Sequence, residues 1–510
     1  MSPAPISSWK LSRGVSFSLL LLLTLSFQGS RGLWEPDEGR YGSIAVTMLD
    51  SGEWLLPNLA GLHFIDKPPL LFWGMAGGIA ALGRNEWGAR FCLCLFYLLT
   101  AVAIAGLGRA LWDRETGDTA AVVWGASLLP FLASNTATPD LALACFSAWT
   151  WVGVVRAARA DDSGKRRLAW LFAGLAAGLG LLTKGPALLV ELLPLLVFVL
   201  VDRKLSLGAA IRGIALAGSC ALAVAAIWYL PILLTVPGAS SYLFDNQVTG
   251  RLFGARYERS PGLAGALATY LPTLLAGALP WWPAAVAAAV RSARPLGSRA
   301  FASAVLRSPA ASLIATGVLV PIVVFSVAGS KLPFYLLPAW TPFALGVARL
   351  LGPQMRTSAR FRIWFLIWVG ALLAIKAGAA YLPVGAKDSR ELARGIQRRI
   401  DDRTTGVIVV SAQANGLTFY GVEDFHWLRW GDNPYPLFAP PPKIEAALPR
   451  IAREGRSHLV LVMPAYARET KVRFQRLDWN CGDEARLARF TAFVCSPAAP
   501  AASGAPREPR

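Results

Sequence analysis

Eleven apolar stretches recur along the first three quarters of the chain, at residues 15–33, 89–111, 119–134, 140–157, 167–183, 186–202, 211–236, 266–290, 309–328, 332–351 and 362–383. Each is long enough, or nearly so, to cross a hydrocarbon core of about 30 Å as a helix. Several are short and some boundaries merge, so the pattern predicts eleven to thirteen transmembrane helices. A further apolar segment, 68–82, opens on Pro68-Pro69 and is short for a span, which predicts a re-entrant or interfacial helix. Beyond residue 384 charges become dense, and the β-like runs Gly406–Ser411 and His458–Met463 alternate with helical patterns. The expected organisation is a polytopic α-helical membrane domain over 1–383, a small soluble α/β domain over 384–496, and a Pro- and Ala-rich disordered tail over 497–510.

Short loops rich in Lys and Arg stay cytoplasmic, and here they alternate along the chain. Arg109 and Arg114, then Arg156 through Arg167, then Arg203, Lys204 and Arg212, then Arg291 through Arg307, then Arg349 through Arg362 mark one side. With Lys10 and Arg13 on that side too, the N-terminus is inside, and the loops 34–88, 135–139, 237–265 and 329–333, with everything after 384, face outward. Lys10 and Arg13 ahead of the apolar run 15–27 also fit a secretory signal peptide cleaved near Gly29. Cleavage would leave every later loop on its side.

Composition fits this picture: 55% of residues are hydrophobic and 16% charged. The net charge of +19 is spread in short clusters between apolar segments, so it signals topology rather than nucleic-acid binding. Of six cysteines, Cys92, Cys94, Cys145 and Cys220 fall in apolar runs, while Cys481 and Cys495 lie in the polar region and could pair in an oxidising compartment.

Chemistry concentrates in the first outward loop. Trp34-Glu35-Pro36-Asp37-Glu38-Gly39-Arg40-Tyr41 begins with proline and acids and is closed by Asp50-Ser51-Gly52, which predicts a helix of about 14 residues. Asp37, Arg40 and Tyr41 then share one face. The plain alternative is that Asp37 and Glu38 complement the helix dipole. A second polar cluster follows, His63-Phe64-Ile65-Asp66-Lys67-Pro68-Pro69, in which Lys67 suits a lipid phosphate or snorkels at the boundary. Asp140, directly after Pro139, stands in the first turn of a span, where it caps or serves an active site. Glu191 and Lys376 lie deeper in apolar runs and are expected as intramembrane polar contacts. The three histidines show no metal-ligand spacing, and no Walker-type phosphate loop is present, which argues against direct use of a nucleotide sugar.

These clusters resemble the first periplasmic loop of the bacterial aminoarabinose transferase family, glycosyltransferase family 83, related to the protein O-mannosyltransferases. Asp37-Glu38 with Arg40-Tyr41, Met48 to Trp54, and Asp66-Lys67-Pro68-Pro69-Leu70 carry the resemblance. Thr138-Pro139-Asp140, Leu182-Thr183-Lys184-Gly185, the stretch from Asn246 through Arg251 to Phe253, Tyr270-Leu271-Pro272, Leu279-Pro280-Trp281 and Ser330 to Tyr335 extend it over residues 30–350. Asp66 stands where a glutamate is common before the lysine.

The resemblance implies the multispanning GT-C fold and an inner-membrane glycosyltransferase working as a monomer. Its donor would be a sugar, such as 4-amino-4-deoxy-L-arabinose, on undecaprenyl phosphate. Its acceptor would be lipid A, another lipopolysaccharide or glycan, or a protein hydroxyl. Asp37 matches the family's catalytic aspartate, with Asp140 and Glu38 as companion carboxylates. Lys67, Arg40, Tyr41 and Tyr335, with Arg251 and Arg256, would surround the donor phosphate, and Lys331 is an alternative there. Metal dependence stays open. A lipid flippase or transporter is the rival from another class; it would place its essential charges near the bilayer midplane.

Overall fold

Every apolar stretch is occupied by helix in the computed structural model, which describes residues 13–202, 204–250, 260–292, 307–381, 387–400, 404–431 and 437–498. The chain forms two compact units, Met1–Ser30 with Ile65–Ala380 and Arg31–Phe64 with Tyr381–Arg510.

In the first unit, among the described residues, seven helices are long and apolar enough to span a bilayer: Glu86–Leu111, Pro139–Arg159, Ser163–Lys184, Leu207–Thr235, Pro309–Val327, Pro333–Gly352 and Ala359–Gly378. Four shorter apolar helices accompany them, Gly14–Leu25, Leu70–Leu82, Ala187–Val201 and Gly262–Gly277. The unit is a polytopic α-helical membrane domain. The segment read as interfacial is the 13-residue helix Leu70–Leu82.

Two expected spans are broken. Residues 119–134 divide into Arg114–Gly125 and Leu128–Ala133, and 266–290 into Gly262–Gly277 and Trp282–Ser292. Proline lacks an N–H and disfavours helical geometry in the residue before it, so Pro280 ends the second ladder. Backbone groups freed within a membrane domain need partners. The breaks supply them to each other: the Leu128 N–H donates to the Leu279 carbonyl at 3.0 Å. The indole N–H of Trp368 donates to Ala126 O at 2.8 Å, and that of Trp340 to Gly277 O at 3.2 Å.

We label helix Pro139–Arg159 α1 and helix Ser163–Lys184 α2; the two pack as an antiparallel hairpin. A β-carbon on Gly153 of α1 would lie 2.7 Å from the Ala173 β-carbon of α2, so only glycine permits this crossing. Lys376 is buried, and its ammonium donates to the carbonyls of Leu23 and Thr24 at 3.0 and 2.9 Å, at the C-terminal end of helix Arg13–Leu25. There a cation satisfies orphan carbonyls and opposes the dipole.

The second unit is built on a sheet whose strands we number β1 (Thr404–Val410), β2 (Phe425–Leu428), β3 (Ser457–Val462), β4 (Trp479–Cys481), β5 (Ala485–Leu487) and β6 (Phe490–Pro497). β1 pairs in parallel with β2 and β3, β3 pairs antiparallel with β6, and β6 carries β4 and β5. Side chains alternate across the sheet, so both faces are cored. Val407, Val409, Leu459 and Leu461 meet Leu392 and Ile396 of helix Ser389–Gln397 on one face. Ile408, Val410, Val460 and Val462 meet Ile444, Leu448 and Phe474 on the other. The expected α/β domain is present, and a disulfide joins Cys481 and Cys495 across β4 and β6.

The division of the chain differs from the expectation that 34–88 stays with the membrane spans. Residues 31–64 fold into the second unit because its backbone completes them. The Glu35 N–H donates to Lys387 O at 2.8 Å, Ser389 N–H to Leu33 O at 3.0 Å, and Leu33 N–H to the Tyr420 hydroxyl at 2.8 Å.

Candidate functional site

Within the membrane unit, the α1–α2 hairpin brings a carboxylate and an ammonium together. Pro139 at the first position starts α1 and puts Asp140 in its first turn; Lys184 is the last residue of α2, before Gly185 at φ 61°. An anion at a helix N-terminus and a cation at a C-terminus are each favoured by the dipole. Antiparallel packing then juxtaposes them, and the Lys184 ammonium donates to Asp140 Oδ1. Both side chains are nearly buried, 11% and 8% exposed. The ammonium also lies 3.9 Å from the Tyr335 ring centroid, a cation–π contact supplied by the 3-10 turn Pro333–Ala339. The Tyr335 ring packs on Phe325 at 5.7 Å, whose carbonyl accepts from the Tyr270 hydroxyl at 3.4 Å.

The structure thus connects two expected residues, Asp140 and Tyr335, through Lys184, which the sequence reading quoted in a motif but gave no role. The signal was a lysine followed by glycine at the end of a span. Elsewhere in this unit Lys67 is partly buried, and its neighbour Asp66 accepts from the Tyr242 hydroxyl. The Asp66 carboxylate is therefore tied to the 237–265 loop. Lys331 is buried with its ammonium on Ala328 O at 2.8 Å, a contact within its own turn. Arg251 and Arg256 lie outside the described residues.

In the second unit the expected helix runs Asp37–Ser51, one residue past Pro36, and Gly52 closes it at φ 72° with its N–H on Met48 O. Arg40 Nη1 is 3.8 Å from Asp37 Oδ1, the predicted i,i+3 pair, with Asp37 41% exposed. Tyr41 turns inward and is buried. Glu38, expected as a companion carboxylate of Asp37 or a partner of the helix dipole, is 1% exposed. It accepts from Arg31 Nη1 at 2.5 Å and from the Trp34 N–H at 3.1 Å, and the Arg31 guanidinium stacks on Trp34 at 3.9 Å. Glu35 is buried too: its carboxylate accepts from the Gly416 N–H at 2.7 Å and the Ser389 hydroxyl at 2.8 Å. Burial pushes the Glu35 carboxyl above its ordinary value, against those hydrogen bonds and the Arg489 charge. Of the acidic trio, Asp37 is the one whose carboxylate reaches solvent.

A polytopic helical domain with broken spans, polar groups at helix ends and a small appended α/β unit fits the GT-C fold that the sequence resemblance implies. The crystal structure of ArnT from Cupriavidus metallidurans bound to undecaprenyl phosphate superposes with a TM-score of 0.74 over 94% of this chain and 97% of that one, at 19% identity. Residues 66–230 match the family described as Dolichyl-phosphate-mannose-protein mannosyltransferase. The chain is 30% identical over 410 residues to the undecaprenyl phosphate-alpha-4-amino-4-deoxy-L-arabinose arabinosyl transferase 2 of Sodalis glossinidius, covering 79% of this chain and 70% of the relative. The Yersinia enterocolitica arabinosyl transferase of the same name, without the numeral, is 30% identical over 65% of this chain and 57% of its own length. The chain therefore belongs to the family of undecaprenyl phosphate-aminoarabinose arabinosyl transferases, although it spans under two thirds of the length of relatives such as the Yersinia protein.

Proposed function

We propose that this protein is an inner-membrane glycosyltransferase that moves a sugar, 4-amino-4-deoxy-L-arabinose or a close relative, from undecaprenyl phosphate to an acceptor on the periplasmic side, such as lipid A or another lipopolysaccharide or glycan. Family membership over four fifths of the chain carries this reading. The alternating basic loops and the Cys481–Cys495 bridge support a periplasmic second unit, since disulfides persist in oxidising compartments.

In the reaction the acceptor oxygen bonds to the anomeric carbon while the bond from that carbon to the carrier phosphate breaks, leaving charge on the phosphate. Groups fixed beforehand around that charge lower the barrier. Lys184, held by Asp140 against Tyr335, is such a group in the membrane unit, Lys67 is its proposed companion there, and the family resemblance assigns a phosphate-binding role to Arg40, Arg251 and Arg256. Asp37 takes the proton when the acceptor is a hydroxyl. A phosphate acceptor is already ionised, and Asp37 then orients the sugar. Glu38 and Tyr41 act by position, fixing the start of the helix that presents Asp37.

Reconstitution with undecaprenyl-phosphate aminoarabinose and lipid A, followed by mass spectrometry of the glycolipids, tests the reading. Asp37→Asn should insert normally and lose transfer; wild-type turnover in that variant would sink the role of Asp37. Because residues 66–230 match the mannosyltransferase family, protein hydroxyls are the second acceptor class, revealed by sugar mass on protein instead of lipid. Carrier movement without transfer in wild-type vesicles would favour a flippase.

A further inference from the structure

Two of the chain's three histidines stand side by side in the second unit. His426 on β2 pairs in register with Ile408 of β1, and His458 on β3 pairs with Gly406, so both rings flank β1 near its start. The ring centroids are 5.7 Å apart. Glu454 reaches the same point from the turn Ala452–Glu454, which Gly455 closes at φ 68°. One ligand atom from each of His426, Glu454 and His458 lies within 4.8 Å of the others.

Three observations favour a ligand here over a packed core. The His458 side chain is fully buried, yet its Nε2 has no hydrogen-bond partner, and His426 Nε2 has none either. His458 Nδ1 lies 3.1 Å from Arg456 O. A carbonyl only accepts, so Nδ1 carries the proton and the Nε2 lone pair points into the cluster, as in a metal-ligating histidine oriented by a backbone acceptor. Gly406 supplies the room: a β-carbon there would lie 2.7 Å from His458 Nε2 and 3.5 Å from an Asp424 carboxylate oxygen.

We propose that His426, His458 and Glu454 form a divalent transition-metal site, with zinc the ion that two imidazoles and a carboxylate suit best. Asp424, whose Oδ1 is 3.9 Å from His426 Nε2, or water completes the coordination. Donors around tetrahedral zinc sit about 3.3 Å apart, so the cluster tightens on binding. Glu454 and His426 make that movement, being 33% and 30% exposed. In this structure Arg456 holds the carboxylates, with Nη1 3.0 Å from Asp424 and Nη2 2.5 Å from Glu454. The ion displaces this exposed guanidinium and ties the edge strand β2 to β3.

The test is zinc titration of tag-free, chelator-stripped, full-length protein in detergent, read by calorimetry, metal content and unfolding midpoint. One zinc per chain should bind and raise the midpoint. His426→Ala and Glu454→Gln, at partly exposed positions, should each weaken binding at least tenfold, Arg456→Ala should tighten it, and His63→Ala should leave it unchanged. Zinc content in His426→Ala and Glu454→Gln equal to wild type, or no binding by wild type above a detergent blank, would overturn the site.

Discussion

The Lys184 ammonium lies between a carboxylate and an aromatic face, and losing either neighbour has a different result. Removing one member of a nearly buried ion pair leaves the other charge stranded, typically at about 3–5 kcal/mol. Lys184→Met should therefore lower the unfolding midpoint more than Asp140→Asn with Lys184→Met together, and transfer should be lost in both. Equal stability of the single and double variants in detergent melts would show that the pair is not coupled. Tyr335→Leu keeps the charge pair and should chiefly weaken donor engagement. Glu35 predicts a pH effect. Its carboxyl is raised by burial, so the folded state holds that proton more tightly than the unfolded chain. The stability it contributes is full below the ordinary carboxylate pKa and is lost as pH rises through the raised folded value. Glu35→Gln should flatten that decline, measured as unfolding midpoint from mildly acid to neutral pH. In the sequence Glu35, Asp37 and Glu38 were alike; only burial separates two internal carboxylates from the exposed Asp37. The Asp140–Lys184 contact was equally illegible, since it joins residues 44 positions apart.

At the scale of the element, hydropathy located the helices because length and apolarity are what a bilayer selects. It did not locate the breaks. The prolines were visible at Pro130 and Pro280, but the bond from Leu128 to Leu279 is a meeting of two distant interruptions. Trp368 serves one of them through its indole N–H on Ala126 O. Trp368→Phe keeps the ring's bulk and removes that donor, so it should cost about 1–3 kcal/mol if the carbonyl is left unsatisfied. A detergent melt unchanged from wild type would show that another donor replaces it. The helix Asp37–Ser51 was legible at both ends, from its acids and from Gly52, because caps are local chemistry. Its partner was not.

For the whole molecule, the membrane domain and the α/β unit were legible from the change in composition after residue 384, whereas the membership of residues 31–64 was not. Those residues carry no compositional mark of belonging to a sheet domain hundreds of positions later. Deleting 381–510 should leave them without Ser389, Gly416 and Tyr420, which hydrogen-bond Glu35 and Leu33. Limited proteolysis should then cut within Asp37–Ser51 in the truncated protein and spare it in the full chain; equal protection would show that the first loop folds alone. The same discontinuity sets an order on biogenesis. The ribosome delivers residues 31–64 early and their partners only after the remaining spans, at about 5–20 residues per second. For an interval on the order of tens of seconds, the nascent first loop lacks those partners and Glu35 stays hydrated, and the loop matures only when Ser389 and Gly416 have emerged to receive its carboxylate.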